Sequence, residues 1–82
     1  MDLIETLRKK GDSQIKEIDK LLEETKKYEG EDRKKAKYAL SMAIRLYEEL
    51  IKQKGTLYVK LIYPEILNKI NEVANDFLEY QT

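Results

Sequence analysis

The 82-residue chain contains no cysteine and no histidine. Without cysteine it can form neither a disulfide nor a thiolate metal site. Without histidine it lacks the commonest general base and the commonest metal ligand of proteins. These two absences exclude catalysis that depends on a thiol or on a histidine.

Tryptophan is absent too, proline occurs once and glycine three times, while acidic and basic residues balance at 16 each. A net charge of zero gives no overall attraction to nucleic acid or anionic membrane. No run approaches the roughly 18 apolar residues that a bilayer span requires, and residues 1–10 carry scattered charges rather than a signal-peptide core. We therefore expect a cytoplasmic protein without membrane insertion. The Lys- and Glu-rich composition is thermophile-like.

Apolar residues recur at helical spacing in three segments, separated by Gly30 and by residues 55–63. The pattern predicts a single all-α domain over residues 1–82, a small antiparallel three-helix bundle. The predicted helices span about residues 3–28, 31–54 and 64–80. The middle segment has the widest apolar arc and several alanines, so we expect it to be the central helix.

Glycine and proline mark the predicted helix boundaries. Gly30 and Gly55 are expected to end the first two helices, and the third helix is kinked or entered at Pro64, which suits a first helical turn. The apolar stripe of helix 1 keeps its phase across Gly11. That favours one continuous helix, although a fresh helix could also begin after Gly11.

Residues 56–63, TLYVKLIY, form an apolar connector that a simple three-helix core does not need. We predict a short helical turn or a kinked start to helix 3; a strand is locally plausible, but it would lack a partner strand. Either the connector folds back to cap the bundle, or it forms an exposed patch that another protein or a second copy covers. The predicted partner-binding residues are Leu57, Tyr58, Leu61, Ile62 and Tyr63.

A basic stripe with one aromatic residue lies on the predicted outer face of helix 2. Its members are Lys34, Lys37, Tyr38, Arg45 and Lys52. Such a stripe could contact phosphates or single strands, and nucleic-acid association is the alternative function that we consider. An ordinary solvated face, offset by the acidic helix 3, explains the same residues.

Carboxylates are plentiful, but all fall on predicted polar faces, where ion pairing along helices accounts for them. Acid–base catalysis would require one to be desolvated in a cleft, so we predict no enzyme, no catalytic residues, no metal and no cofactor. The sequence instead favours a non-enzymatic helical protein–protein interaction module, an adaptor or small accessory subunit of a larger assembly. The connector and helix 3 would bind its partner.

From about Leu22 onward, the layout resembles the MIT domain, the three-helix module of microtubule-interacting and transport proteins. The resemblance rests on the turn at Tyr28-Glu29-Gly30, the spacing Ala39-x-x-x-Ala43-Ile44-x-x-Tyr47-x-x-Leu50, and the third amphipathic segment from 65 to 80. It implies a groove along helix 3 that binds short helical tails of membrane-remodelling filament proteins. Helix 1 departs from the family, because Leu21 and Leu22 occupy positions where alanines are expected.

Overall fold

The computed structural model describes residues 3, 6 and 13–79 of the chain. Within these residues it contains helices and turns but no strand, so the all-α prediction is confirmed. From residue 13 to 79, four helices follow one another: α1 Ser13–Tyr28, α2 Arg33–Lys54, α3 Thr56–Ile62 and α4 Pro64–Glu79. The predicted three-helix bundle is wrong, because the apolar connector is itself a helix. Continuity through Gly11 and the predicted helix end at Tyr80 lie outside the described residues.

A tight turn over residues 29–32 joins α1 to α2 and makes them antiparallel. The amides of Glu31 and Asp32 both donate to the carbonyl oxygen of Tyr28, at 3.0 and 2.8 Å. Asp32 then caps α2, since its side chain accepts the Lys35 amide at 3.2 Å. The cap satisfies a backbone donor that the first helical turn leaves open.

Gly55 separates α2 from α3 with a backbone conformation that other residues rarely adopt. Its φ is 92° and its ψ is 148°, close to a region that is essentially restricted to glycine. Its amide donates to the Ile51 carbonyl at 2.8 Å, and its carbonyl accepts the Val59 amide at 3.2 Å. Gly55 thus ends α2 as predicted. Gly30, expected to act in the same way, has no positive φ.

Tyr63 is the single residue between α3 and α4. Its amide donates to the Val59 carbonyl at 2.8 Å, and its own carbonyl accepts the Ile66 amide at 3.2 Å. Pro64 occupies the first position of α4, where its missing N–H costs no hydrogen bond. The predicted start of this helix at Pro64 is therefore confirmed.

The core lies between the α1–α2 hairpin and the two helices that follow it. α1 and α2 share the most extensive interface, and α4 lies along both, more on α1 than on α2. Contacts between Lys69 and Asp19, and between Arg33 and Phe77, show that α4 runs parallel to α1 and antiparallel to α2. The buried apolar cluster comprises Ile18, Leu22, Ala36, Leu40, Ala43, Tyr47, Leu50, Val59, Ile62, Tyr63, Ile66, Ile70, Val73 and Phe77.

None of the described helices combines the length and the hydropathy that crossing a membrane requires.

Candidate functional site

The short helix α3 has one face committed to the core and one face open to solvent. Val59 and Ile62 on its inner side are only 1% and 4% exposed, whereas Leu57 and Leu61 on its outer side are 75% and 52% exposed. Leu57 and Leu61 are four residues apart, so they are neighbours on one helical face. We call this pair the outer leucine pair.

The structure divides the five predicted partner-binding residues into two groups. Leu57 and Leu61 are exposed, and Tyr58 between them is half-buried, with the Lys54 ammonium 5.9 Å from its ring centroid. Ile62 and Tyr63 belong to the core cluster. In the folded chain, the surface that α3 offers is thus the outer leucine pair with Tyr58 at its edge.

Helix α4 buries a narrower face than its apolar pattern suggested. Its inward residues are Ile66, Ile70, Val73 and Phe77, all 5% exposed or less. Leu67 and Leu78 are 38% and 58% exposed, and Ala74 between them is half-buried. Spacings of seven and four residues place these three side chains on one flank of α4. We call this the α4 flank.

Every member of the predicted basic stripe lies on the surface of α2. Lys34, Lys37, Arg45 and Lys52 are exposed, as is the Tyr38 ring, which is 68% accessible. The structure places them along one side of the helix, but the exposed Glu48 falls between Arg45 and Lys52 in the same row. The cationic surface is therefore interrupted by a carboxylate near the end of α2.

Lys69 makes the ion pairs that join α4 to α1. Its Nζ lies 2.9 Å from Asp19 Oδ1 and 3.7 Å from Glu23 Oε1. The hydrogen bond to Asp19 is the main reason why the pKa of Lys69 is raised above its ordinary value; desolvation acts in the opposite direction, and the two carboxylate charges add to the rise. Lys69 is the one basic residue of α4, a signal in the sequence that could have identified it as an anchor.

The turn end of the α1–α2 hairpin, residues 27–35, has contacts that the sequence analysis did not identify. The Lys27 and Lys35 ammonium groups lie 5.3 and 4.7 Å from the centroid of the Tyr28 ring. Glu29 Oε2 and Arg33 Nη1 are buried and have no hydrogen-bond partner within the described part of the chain. These two groups sit four residues apart across the α1–α2 turn, where burial of an unpaired polar atom is unfavourable.

The carboxylates considered for catalysis remain in contact with solvent. Glu23, Glu48, Glu49, Glu72 and Asp76 are exposed, and Glu24 is half-buried. A shallow depression beside the end of α2 is lined by Glu49, Lys52 and Gln53. Among the residues that the structure describes, no group of three or more acidic side chains is placed to hold a metal ion.

Comparison of the chain with protein-family models, with curated proteins and with solved structures returned no match.

Proposed function

We propose that this protein is a non-enzymatic helical interaction module, a small accessory subunit that docks another protein onto the outer leucine pair of α3. The carrying observation is the exposure of Leu57 and Leu61 beside the buried Val59 and Ile62. The seven-residue helix α3 contributes Val59 and Ile62 to the core cluster. Leu57 and Leu61 are not members of that cluster, so binding a partner would not compete with the core for them.

Docking onto the outer leucine pair would bury apolar surface that is now in contact with water. Covering what is now exposed of Leu57 and Leu61 would contribute roughly 2–4 kcal/mol at the usual yield for a buried leucine. The half-buried Tyr58 supplies an aromatic edge of the kind enriched at binding hot spots. The α4 flank provides a further apolar strip. It belongs to the helix that the sequence analysis names, with the connector, as the partner-binding part of the chain.

The MIT-like layout supports the same class of function, a helical module that binds peptides or proteins. The additional helix α3 distinguishes this chain from a three-helix module, and the proposed docking surface is centred on its outer leucine pair. The proposal therefore depends on α3 itself, and not on the family resemblance.

Site-specific photo-cross-linking in cells tests the docking surface. A benzoylphenylalanine at position 57 should give a discrete adduct that disappears when Leu61→Asp is added. The same probe at position 38 is the matched control, since Tyr38 is 68% exposed but lies on α2. No adduct at position 57, or equal and Leu61-independent adducts at both positions, would contradict the proposal.

Nucleic-acid association is a second candidate, favoured by the exposed Tyr38 ring among the cations of the basic stripe. An aromatic ring beside lysines and arginine suits stacking on bases while the cations contact phosphates. Affinity for a labelled single strand should then fall steeply between low and moderate salt. Arg45→Glu combined with Lys34→Glu should abolish binding. No binding even at low salt would eliminate this candidate.

A further inference from the structure

The link between α2 and α3 contains the one residue of the described backbone that has a positive φ, Gly55. Gly55 is the only residue between the two helices and has φ 92° and ψ 148°. A Cβ built at this position meets nothing within 4 Å. Space would therefore allow a side chain, and what disfavours one is the strain of the backbone conformation.

The core stripe of α2 continues past this break in the sequence. The members of α2 in the core cluster alternate steps of four and three residues: Ala36, Leu40, Ala43, Tyr47 and Leu50. The next positions of the same repeat hold Lys54, Leu57 and Leu61. An uninterrupted helix through Gly55 would thus place the outer leucine pair in line with the core face of α2.

Residues 56–62 consequently carry two apolar faces with different uses. Val59 and Ile62 fit the core when the chain breaks at Gly55, as observed. Leu57 and Leu61 fit the stripe of α2 when the helix is straight. A single folded copy covers only the first of these faces, whereas an arrangement with a straight helix and a complete core would cover both.

We propose that Gly55 is a hinge at which two copies of this chain exchange the arm formed by α3 and α4. Straightening at Gly55 carries α3 about 10 Å beyond the end of α2, at 1.5 Å per residue. With Tyr63 alone between α3 and α4, the arm has no slack with which α4 could return to its own hairpin. It regains its place only on the hairpin of a second copy.

The exchanged dimer preserves the contacts of the single copy. Lys69 with Asp19, and Arg33 with Phe77, would form between chains instead of within one. The positive φ that the break at Gly55 requires is no longer needed in either copy, and the outer leucine pairs meet near the two-fold axis. Exchange of identical elements is a low-cost route to dimers, and a link of one residue leaves the arm little freedom to fold back.

This inference does not rest on the proposed docking of another protein. A chain that binds no other protein could still exchange arms, and a chain that docks a partner through Leu57 and Leu61 could remain single. The experiment below follows arm exchange alone, so its failure leaves the photo-cross-linking result unaffected.

The test combines a hinge variant with a matched glycine control. Gly55→Ala penalises the positive φ and favours a straight helix, so light scattering should show the mass rising from 9.7 kDa to twice that value. The dimer-to-monomer ratio should increase about tenfold or more, the factor that corresponds to strain of this kind. Gly30→Ala changes the same residue type in a turn without positive φ, and it should remain single.

A second experiment, chemical cross-linking, distinguishes exchange of the α3–α4 arm from simple association of two folded copies. Asp19→Cys with Lys69→Cys replaces two side chains that are 2.9 Å apart, and a short bismaleimide then joins α1 to α4. In a single copy the link lies within one chain; in the exchanged dimer it joins two chains and gives a dimer on a denaturing gel. The same cysteine pair in the parent chain, concentrated, warmed to its melting midpoint and cooled, should yield this product without the Gly55 change.

The outcomes are decisive in either direction. Dimers of Gly55→Ala that carry links between chains, or such links in the reheated parent chain, support the hinge. The hinge proposal is overturned if Gly55→Ala is monomeric, or if it forms a dimer in which every cross-link lies within one chain. If Gly55→Ala does not fold, the reheated parent chain alone decides, and links only within chains there overturn the proposal.

Discussion

Arg33 at the start of α2 holds the last turn of α4 through Phe77. Its guanidinium carbon lies 4.5 Å from the centroid of the Phe77 ring, and Nη2 donates a long, 3.5 Å hydrogen bond to the Phe77 carbonyl oxygen. One side chain therefore combines a cation–π contact with a bond to a carbonyl at the end of the helix. The Arg33 contact holds the last turn of α4 on the α1–α2 hairpin, and the Lys69 ion pairs hold α4 nearer its beginning.

Replacing Arg33 tests the first of these anchors. Arg33→Ala removes the ring contact, the carbonyl bond and the packing of the stem, and should lower the free energy of unfolding by about 1–2 kcal/mol. Arg33→Met should cost less, because it keeps the apolar stem and removes the buried, unpaired Nη1. Urea titration measures both. The exposed neighbour Lys34 is the control, and equal losses for Lys34→Ala and Arg33→Ala would contradict the anchor.

The second anchor predicts a loss of stability at high pH. The pKa of Lys69 is raised in the folded chain by its hydrogen bond to Asp19, so the folded state binds the proton more tightly than the unfolded state. Its stabilisation is complete below the ordinary lysine pKa of 10.5 and is lost as the pH rises through the raised value. Because the pair is partly exposed, it contributes about 0.5 kcal/mol.

Lys69→Met isolates this contribution from the titration of the tyrosines and other lysines. The difference in unfolding free energy between parent and variant should be constant near neutral pH and should change by about 0.5 kcal/mol, the contribution of the ion pair, as the pH rises above 10.5. Asp19→Asn should reduce the same difference, since it removes the main partner of Lys69. A difference that stays constant up to pH 12 would show that the Lys69 charge does not stabilise the fold.

Alanines in the centre of α2 set how closely its neighbours can approach. Ala36 and Ala43 are both fully buried, but Ala36 lies in the first turn, which can shift, whereas Ala43 lies in the middle of the helix. Ala43→Leu should therefore lower the unfolding free energy by about 1–3 kcal/mol through overpacking, and Ala36→Leu by less. Thermal melts of the two variants check the order, and the reverse order would place the rigid part of the core elsewhere.

Much of the fold could be predicted from the sequence because helical periodicity is local. The end of α2 before Gly55 and the start of α4 at Pro64 followed from the position of the glycine and from the fixed φ of proline. The same reasoning overestimated α4, where Leu67 and Leu78 share the apolar pattern with Phe77 but lie at the surface. Periodicity identifies an apolar arc, but the width of that arc that is buried depends on how the neighbouring helices lie.

The candidate site could be predicted only in part for a related reason. The sequence identified residues 56–63 as surplus apolar surface, but which of them face inward depends on the backbone rotation at Gly55. Gly30 and Gly55 look alike as helix-ending glycines, yet only Gly55 has a positive φ. The Arg33–Phe77 and Lys69–Asp19 contacts span 44 and 50 residues, and such long-range pairs depend on the register of α4, which no local pattern encodes.

The central claim is that the outer leucine pair serves binding and not the core, and a paired melt and mass measurement tests it most directly. Leu57→Asp with Leu61→Asp should leave the melting midpoint within about 3 °C of the parent, since exposed substitutions change stability little. The same protein should lose its partner or its self-association in light scattering. Val59→Asp is the matched control: at 1% exposure it buries a charge and should lower the midpoint sharply. A collapse of the midpoint in the double variant, with no change in mass, would contradict the account.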